Sequence, residues 1–215
     1  MGFFFNSVAS YRAAGKTQSA NTVIDVVIPP YSGYRTALTY LAYSLGSTAH
    51  TITVMRPLGH TTLSTAAAAA QAVINLTADP GTPASSMLAS PYGEIPAAVN
   101  AIAANDYLVI KNPTTGIYNL YVVSSVATLA ITLTANVPTG GFNIGQDVWF
   151  FGVAADTEQA LWNLTPTVSV RNTYSSGGKP LFVTPDINQP LILHSTNGTA
   201  AGTFDLVTAD YVGRT

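Results

Sequence analysis

The sequence predicts an all-β protein: a jelly-roll-like β-sandwich with an inserted smaller β-barrel or meander and an extended N-terminal arm. Three observations predict it. Thr, Ala, Val and Tyr are abundant and 13 Pro and 17 Gly punctuate them, a mix that favours strands separated by turns. Apolar side chains alternate along many short segments, the period of a half-buried strand. Residues 107–153 pack several such segments together with short connections, as a small barrel or meander does.

Residues 1–21 read as the arm. They open on Phe3, Phe4 and Phe5 and then lose any hydrophobic period. Residues 22–28 alternate, with Ile24, Val26 and Ile28 on one face, and Pro29-Pro30 ends that strand. Residues 34–44 place Leu38 and Tyr40 on one face and Leu41 and Tyr43 on the other. After a turn at Leu45-Gly46-Ser47, residues 49–56 set Ile52 and Val54 against Thr51 and Thr53. These two segments are a hairpin candidate. Residues 61–70 (TTLSTAAAAA) offer a short helix capped by Ser64 or Thr65, but they merge into 71–78, which reads as extended, and both readings stand. Pro80, Gly81, Pro83, Pro91, Gly93 and Pro96 mark 79–97 as a long loop, after which 97–104 has room for a helical turn or two.

The dense β run follows: 107–112, a Pro113–Gly116 turn, 117–125, 128–135, a Pro138–Gly141 turn and 147–153. Ile74–Asp79 echoes Ile131–Asn136, either as two equivalent strands or as a chance likeness of Thr/Leu-rich segments. In the last third, strands fall at 165–172, 180–184, 190–196 and 199–208. The last two flank Asn197-Gly198, the strongest hairpin signal in the chain, because Asn-Gly tolerates the positive φ of a type I′ turn. Pro185 and Pro190 suggest edge positions for the strands that they flank. The division that results is 1–21 for the arm, 22–65 with 156–215 for the sandwich, and 66–155 for the inserted unit.

The surface must be poor in charge. Only 8% of the 215 residues are Asp, Glu, Lys or Arg while 47% are hydrophobic, against roughly 25% charged in an ordinary soluble domain. Mean hydropathy is +0.29, yet no apolar run reaches the roughly 18 residues of a transmembrane helix. The start lacks the basic region and long apolar core of a signal peptide, and Asn6 stands where a myristoylation start wants Ser or Thr. With 8 basic and 10 acidic residues, and Lys16, Lys111 and Lys179 far apart, phosphate neutralisation and hence nucleic-acid binding are disfavoured. There is no cysteine, so disulfides, thiolate catalysis and zinc–thiolate sites are excluded.

Nothing else in the sequence assembles into chemistry. His50, His60 and His194 have no metal-ligand spacing. There is no G-x-S-x-G elbow, and the scattered carboxylates mostly sit beside turns, as in Asn105-Asp106. Ser175–Lys179 lacks the spacing of a phosphate loop, and Pro180 follows where a helix should begin. The sequons at Asn75, Asn163 and Asn197 matter only in a secretory context. Trp149 and Trp162 lie in apolar surroundings and read as core. The expectation is therefore a non-enzymatic chain without a cofactor or metal. Its candidate capsid or subunit contacts are Phe3, Phe4, Phe5, Tyr11 and Arg12, since apolar, Tyr and Arg side chains make interface anchors. The alternative for the Phe cluster is that it folds back on its own domain.

This charge-poor, cysteine-free β composition, the strand pair YRTALTYLAYS and TITVMRPLG, the run ending DVWFFGV and the Phe-headed arm together resemble a structural protein of a tailed-phage virion, most like a capsid decoration or cement protein. The resemblance implies a homo-oligomer, often a trimer, on the outer capsid surface. Its partners would be the major capsid protein and other copies of itself, with no role for nucleic acid or membrane. The alternatives are another virion component (minor capsid, head-fibre or tail protein), a carbohydrate-binding β-sandwich with a planar array of exposed aromatics, or a hydrolase.

Overall fold

A computed structural model describes residues 7–18, 24–45, 51–55, 57–78, 102–152, 160–164, 171–175, 180–184, 187–195 and 202–213. The described residues contain no helix, and their strands pair antiparallel throughout. The protein is all-β. Its chain divides into two compact units, Met1–Met55 with Ala160–Thr215, and Arg56–Gln159.

In the first unit one sheet has the order β1 (Ser7–Gln18), β15 (Gly202–Val212), β3 (Arg35–Leu45), β12 (Arg171–Ser175), with the short β13 (Phe182–Val183) also on β3. The other has the order β2 (Ile24–Ile28), β14 (Leu191–Ser195), β4 (Ile52–Met55), β11 (Ala160–Leu164). Successive strands alternate between the sheets, except that β4 and β11 pair with each other and that β12 and β13 both lie on β3. With the two-residue β13 set aside, the two sheets have four strands each, and this connection is that of the double Greek-key jelly roll. Their inner faces share one core: Val26, Ile28, Ile52, Val54 and Leu193 from one sheet meet Leu38, Leu41, Tyr43, Phe204 and Val207 from the other. The Tyr43 ring packs edge-on to Phe204 at 4.8 Å. Its hydroxyl crosses to the opposite sheet, 2.8 Å from Ser195 Oγ. Burial raises the Tyr43 pKa, and the bond to Ser195 opposes that shift.

The structure corrects several expectations. The segments 34–44 and 49–56 do not form a hairpin, because β3 and β4 belong to different sheets; the same holds for β14 and β15 across Asn197-Gly198, a turn that lies outside the described residues. Alternation tells which face of a strand is buried but not which sheet it joins. Leu38 and Leu41 both reach the core although strict alternation separates them. Thr39 is an extra residue between the pairs Leu38–Ala209 and Tyr40–Thr208, and such a bulge switches the faces. Pro190 does not mark an edge: β14 is central, with partners on both sides. Pro190 precedes its first paired residue, so no ladder donor is lost. The short helix considered for 61–70 is absent. Residues 7–18 of the expected arm form β1, aligned with β15 from Ser7–Val212 to Gln18–Gly202. The period was hard to see because Ala, Ser and Gly fill much of that strand.

The second unit is a sheet of order β5 (Pro57–Thr62), β10 (Asp147–Phe151), β7 (Tyr107–Lys111), β8 (Tyr118–Ala127), β9 (Ala130–Leu133), β6 (Val73–Asn75). Its two outer strands come together: Thr77 N donates to Thr62 O at 2.9 Å, Leu63 bridges Leu76, and Ser64 N donates to Asn75 O at 2.9 Å. The edges meet and the sheet closes into a small barrel. Leu108, Ile110, Val123, Ile131, Val148 and Phe150 fill its interior. The echoing segments are neighbours, with Ile74 of β6 directly opposite Ile131 of β9.

Two glycines report on how tightly these units are built. A Cβ on Gly202 would strike the Tyr43 hydroxyl, so Gly202→Ala is expected to destabilise by about 1–3 kcal/mol, as overpacking does, in a urea titration. Gly141 (φ +68) and Gly145 (φ +76) both sit in the left-handed region, but a Cβ on Gly141 would lie 2.6 Å from the Ala67 carbonyl oxygen while Gly145 faces open space. Thermal melts should therefore show Gly141→Ala costing about 1 kcal/mol or more beyond Gly145→Ala.

Candidate interaction surfaces

Strand β1 carries the described part of the predicted contact set. Tyr11 and Ala13 pack against the sandwich core, and the residue between them, Arg12, is exposed. The Tyr11 hydroxyl donates to Val27 O at 3.3 Å, tying β1 to β2 of the other sheet, and burial raises its pKa. Tyr11 thus spends its ring and its hydroxyl inside its own unit. No described strand pairs with the other edge of β1, so Arg12 stands on an open edge. Phe3, Phe4 and Phe5 lie outside the described residues.

The described titratable groups stay dispersed. His50 is outside the described residues. His60 Nε2 lies 3.0 Å from Asp147 Oδ1, and its ring is 4.5 Å from that of Trp149. Trp149 is buried, but on the outer side of β10, since its neighbours Val148 and Phe150 point into the barrel. Of Trp162 only the backbone is described, in β11. His194 is buried in the other unit, on β14, opposite Asp25 and Thr53. Arg171 Nε and Ser44 Oγ both reach Asp205 Oδ2, at 3.1 and 2.6 Å. Asp205 is available to them as the extra residue of a second bulge, between Phe204 and Leu206. Asp106 Oδ2 accepts from Ala103 N at 2.7 Å, which is turn chemistry. Among the described residues no three His, Cys, Asp or Glu gather as metal ligands.

An aromatic cluster closes one end of the sandwich. Tyr31 stacks on Tyr211 at 5.2 Å and lies 5.4 Å from Tyr34. The Tyr211 hydroxyl donates to Pro29 O at 2.8 Å, and Gly33 N donates to Asn188 Oδ1 at 2.6 Å. Adjacent in the chain, Arg35 Nε and Gln189 Oε1 are buried without a hydrogen-bond partner among the described residues. Tyr211 reaches this cluster from the far end of the chain, so nothing local to Tyr31 signals it. Among the residues whose side chains are described, Tyr31 is the one exposed aromatic, and those residues form no planar array.

The sequence reading also passed over one end of the barrel. Strands β5, β7 and β9 run one way and β10, β8 and β6 the other. The connections 63–72, 112–117 and 134–146 therefore emerge at the same end, opposite the points where the chain enters at Pro57 and leaves at Phe151. None of the three contains Asp, Glu, Lys or Arg. The signal was there to find as a charge-free stretch repeated three times.

No protein-family model matches the chain, and no curated protein matches it. Among solved structures, VP17, a capsid protein of bacteriophage P23-77, aligns over 95% of this chain and 99% of its own, at 10% identity and a TM-score of 0.18. A likeness that slight carries neither fold nor function across.

The two described contact candidates should separate by stability. Tyr11→Phe removes a partly buried hydrogen bond and should cost about 0.5–1.5 kcal/mol. Arg12→Ala, at an exposed position, should stay within about 0.5 kcal/mol of the parent. Chemical denaturation of both variants checks this.

Proposed function

We propose that the chain is a structural protein of a virion: a capsid decoration or cement protein that sits on the outer face of the shell as a homo-oligomer and clamps neighbouring capsomers. The observation that carries this reading is the strand order of the larger unit, since the double-sheet jelly roll serves viral capsid and lectin domains. One architecture hosts many functions, so the surface has to choose between these. A lectin-like reading wants several exposed aromatics, and Tyr31 is alone among the residues whose side chains are described. A surface with 8% charged residues is suited instead to broad, neutral protein contact.

The mechanism is binding alone. Many copies each bury a modest area, and the lattice turns weak single contacts into lasting attachment through avidity. With few charges to screen, that attachment is largely indifferent to salt. Phe3, Phe4 and Phe5 act as apolar anchors, Arg12 on the open edge of β1 as a polar pin, and Tyr11 holds β1 in place behind them. The partners are the major capsid protein and other copies of the chain in a trimer.

The test is co-sedimentation of the labelled protein with shells stripped of it. Removing residues 2–6 leaves β1 whole, and Arg12→Glu reverses the exposed charge. Each change should weaken binding by about tenfold or more. Undiminished binding by both variants would remove the contact assignment, and failure of the parent to bind any shell would remove the reading.

A further inference from the structure

The aromatic end of the sandwich is built to hold a fixed shape. Tyr34 N donates to Tyr31 O and Asn188 N to Tyr34 O, both at 3.0 Å, and Gly33 N donates to Asn188 Oδ1 at 2.6 Å. The Tyr211 hydroxyl ties the end of β15 to Pro29 O. A frame this well bonded loses little entropy when something docks on it. The Tyr31 ring stacks on Tyr211 and tilts against Tyr34, yet it stays 45% exposed. Pro29, Pro30 and Tyr34 are half-buried beside it. Single exposed apolar residues are ordinary, but a ring set among a second ring and two prolines is an aromatic face with room for a further ring.

The chain enters the sandwich at this same end. Ser7 of β1 pairs with Val212, and both chain neighbours of Val212 belong to the cluster. Tyr211 carries the ring under Tyr31, and a Cβ on Gly213 would stand 3.8 Å from the Tyr34 ring. The rings therefore begin one strand away from Ser7, and antiparallel partners are only about 5 Å apart. Val8 is an extra residue between the pairs Ser7–Val212 and Ala9–Tyr211, a bulge that bends the strand where it starts. Phe5, Phe4 and Phe3 precede Ser7 by two, three and four residues, a reach of about 7 to 14 Å of extended chain.

We propose that the Tyr31–Tyr34 face is the seat of the chain's own Phe3–Phe5 segment, an intramolecular clasp that must open before the segment can reach a shell. The tether selects the occupant. A segment held a few residues from its seat acts at an effective concentration in about the millimolar range, which a free partner has to exceed to displace it. The chemistry agrees, because Phe and Tyr rings gain from offset and edge-to-face packing beyond the area they bury. The closed fraction then lowers the apparent affinity for a shell in proportion. The clasp stands on the position of Ser7 and the rings; the opening step rests on reading Phe3, Phe4 and Phe5 as shell anchors.

The chain has no cysteine, so two introduced ones report the contact. Full-length protein carrying Gly2→Cys with Ser32→Cys, equilibrated at low concentration in a glutathione buffer, should close an intramolecular disulfide. Mass spectrometry reads the closed fraction and hence the effective concentration of the two thiols. Gly2→Cys with Thr173→Cys, which puts the second thiol on β12 at the far edge of the same sheet, should give a value lower by about tenfold or more. Adding Phe3→Ser, Phe4→Ser and Phe5→Ser to the first pair should lower it by a similar factor, about tenfold, and adding Tyr31→Ala to that pair should lower it severalfold. Melting temperatures near the parent's show that the fold is intact in each variant. Equal closure in the two pairs, or closure indifferent to the Phe and Tyr31 changes, would overturn the clasp. Disulfide-linked dimers in place of closed monomers would overturn it too, and give the seat to a second copy. Shell binding reads the opening step. Tyr31→Ala alone should bind stripped shells severalfold more tightly than the parent, and the oxidised Gly2→Cys, Ser32→Cys protein about tenfold more weakly than the same protein reduced. Binding indifferent to oxidation overturns the opening step and the anchor assignment with it. A parent that binds no shell removes the capsid reading, while Phe-dependent closure still upholds the clasp.

Discussion

The larger unit depends on one constraint: two antiparallel sheets must hide their inner faces against each other. Leu38, Leu41, Tyr43 and Phe204 have no other place to be dry than against Ile28, Ile52, Val54 and Leu193. At about 25 cal/mol per Å² of apolar surface, this burial is the main force holding β1, β15, β3 and β12 over β2, β14, β4 and β11. The two bulges serve it. Thr39 and Asp205 are extra residues that shift the pleat so that side chains on either side of them turn inward. The links across the layers, Tyr43 to Ser195 and Tyr11 to Val27 O, fix how the sheets lie once the core has brought them together.

Threonine explains how a chain with so few charges can satisfy its polar groups. Thr36 Oγ1 donates to Gln189 O, Thr39 Oγ1 to Thr208 O and Thr61 Oγ1 to Ala78 O, while Thr184 Oγ1 accepts from Thr36 N. The hydroxyls answer backbone groups at strand ends and bulges, where ladder bonds fail. Their β-branched stems suit strands. Much of the polar work that ion pairs do elsewhere is done here by neutral groups, so a chain with few charges still satisfies these backbone groups.

Much of this was legible because alternation is a local property. The strands at 24–28, 107–111 and 147–151 stand out in the sequence, and the pairing of Ile74 with Ile131 is foreshadowed by the repeat that contains them. The sandwich class follows from strand number and alternation. What was hidden depends on partners far along the chain. Nothing in Asn197-Gly198 says that β14 and β15 part to opposite sheets. Nothing near Tyr31 announces Tyr211, and β1 hides its period in Ala and Gly. The barrel end is hidden for another reason: its mark in the sequence is that three connections carry no Asp, Glu, Lys or Arg.

The pairing of β1 with β15 has a consequence for how the molecule comes into being. Ser7 lies against Val212, so β1 leaves the ribosome well before β15, the strand that completes it. Until then β1 has no neighbour in its sheet, and β3 lacks the partner that joins them. The barrel needs only residues close to it in the chain, and it can close while the jelly roll is still half made. Nonlocal pairing of this kind is slow and leaves strand edges open meanwhile. The barrel sits in the one connection, β4 to β11, whose ends are paired neighbours in the finished sheet. Once folded it holds those ends together and shortens the effective span that the remaining strands must close.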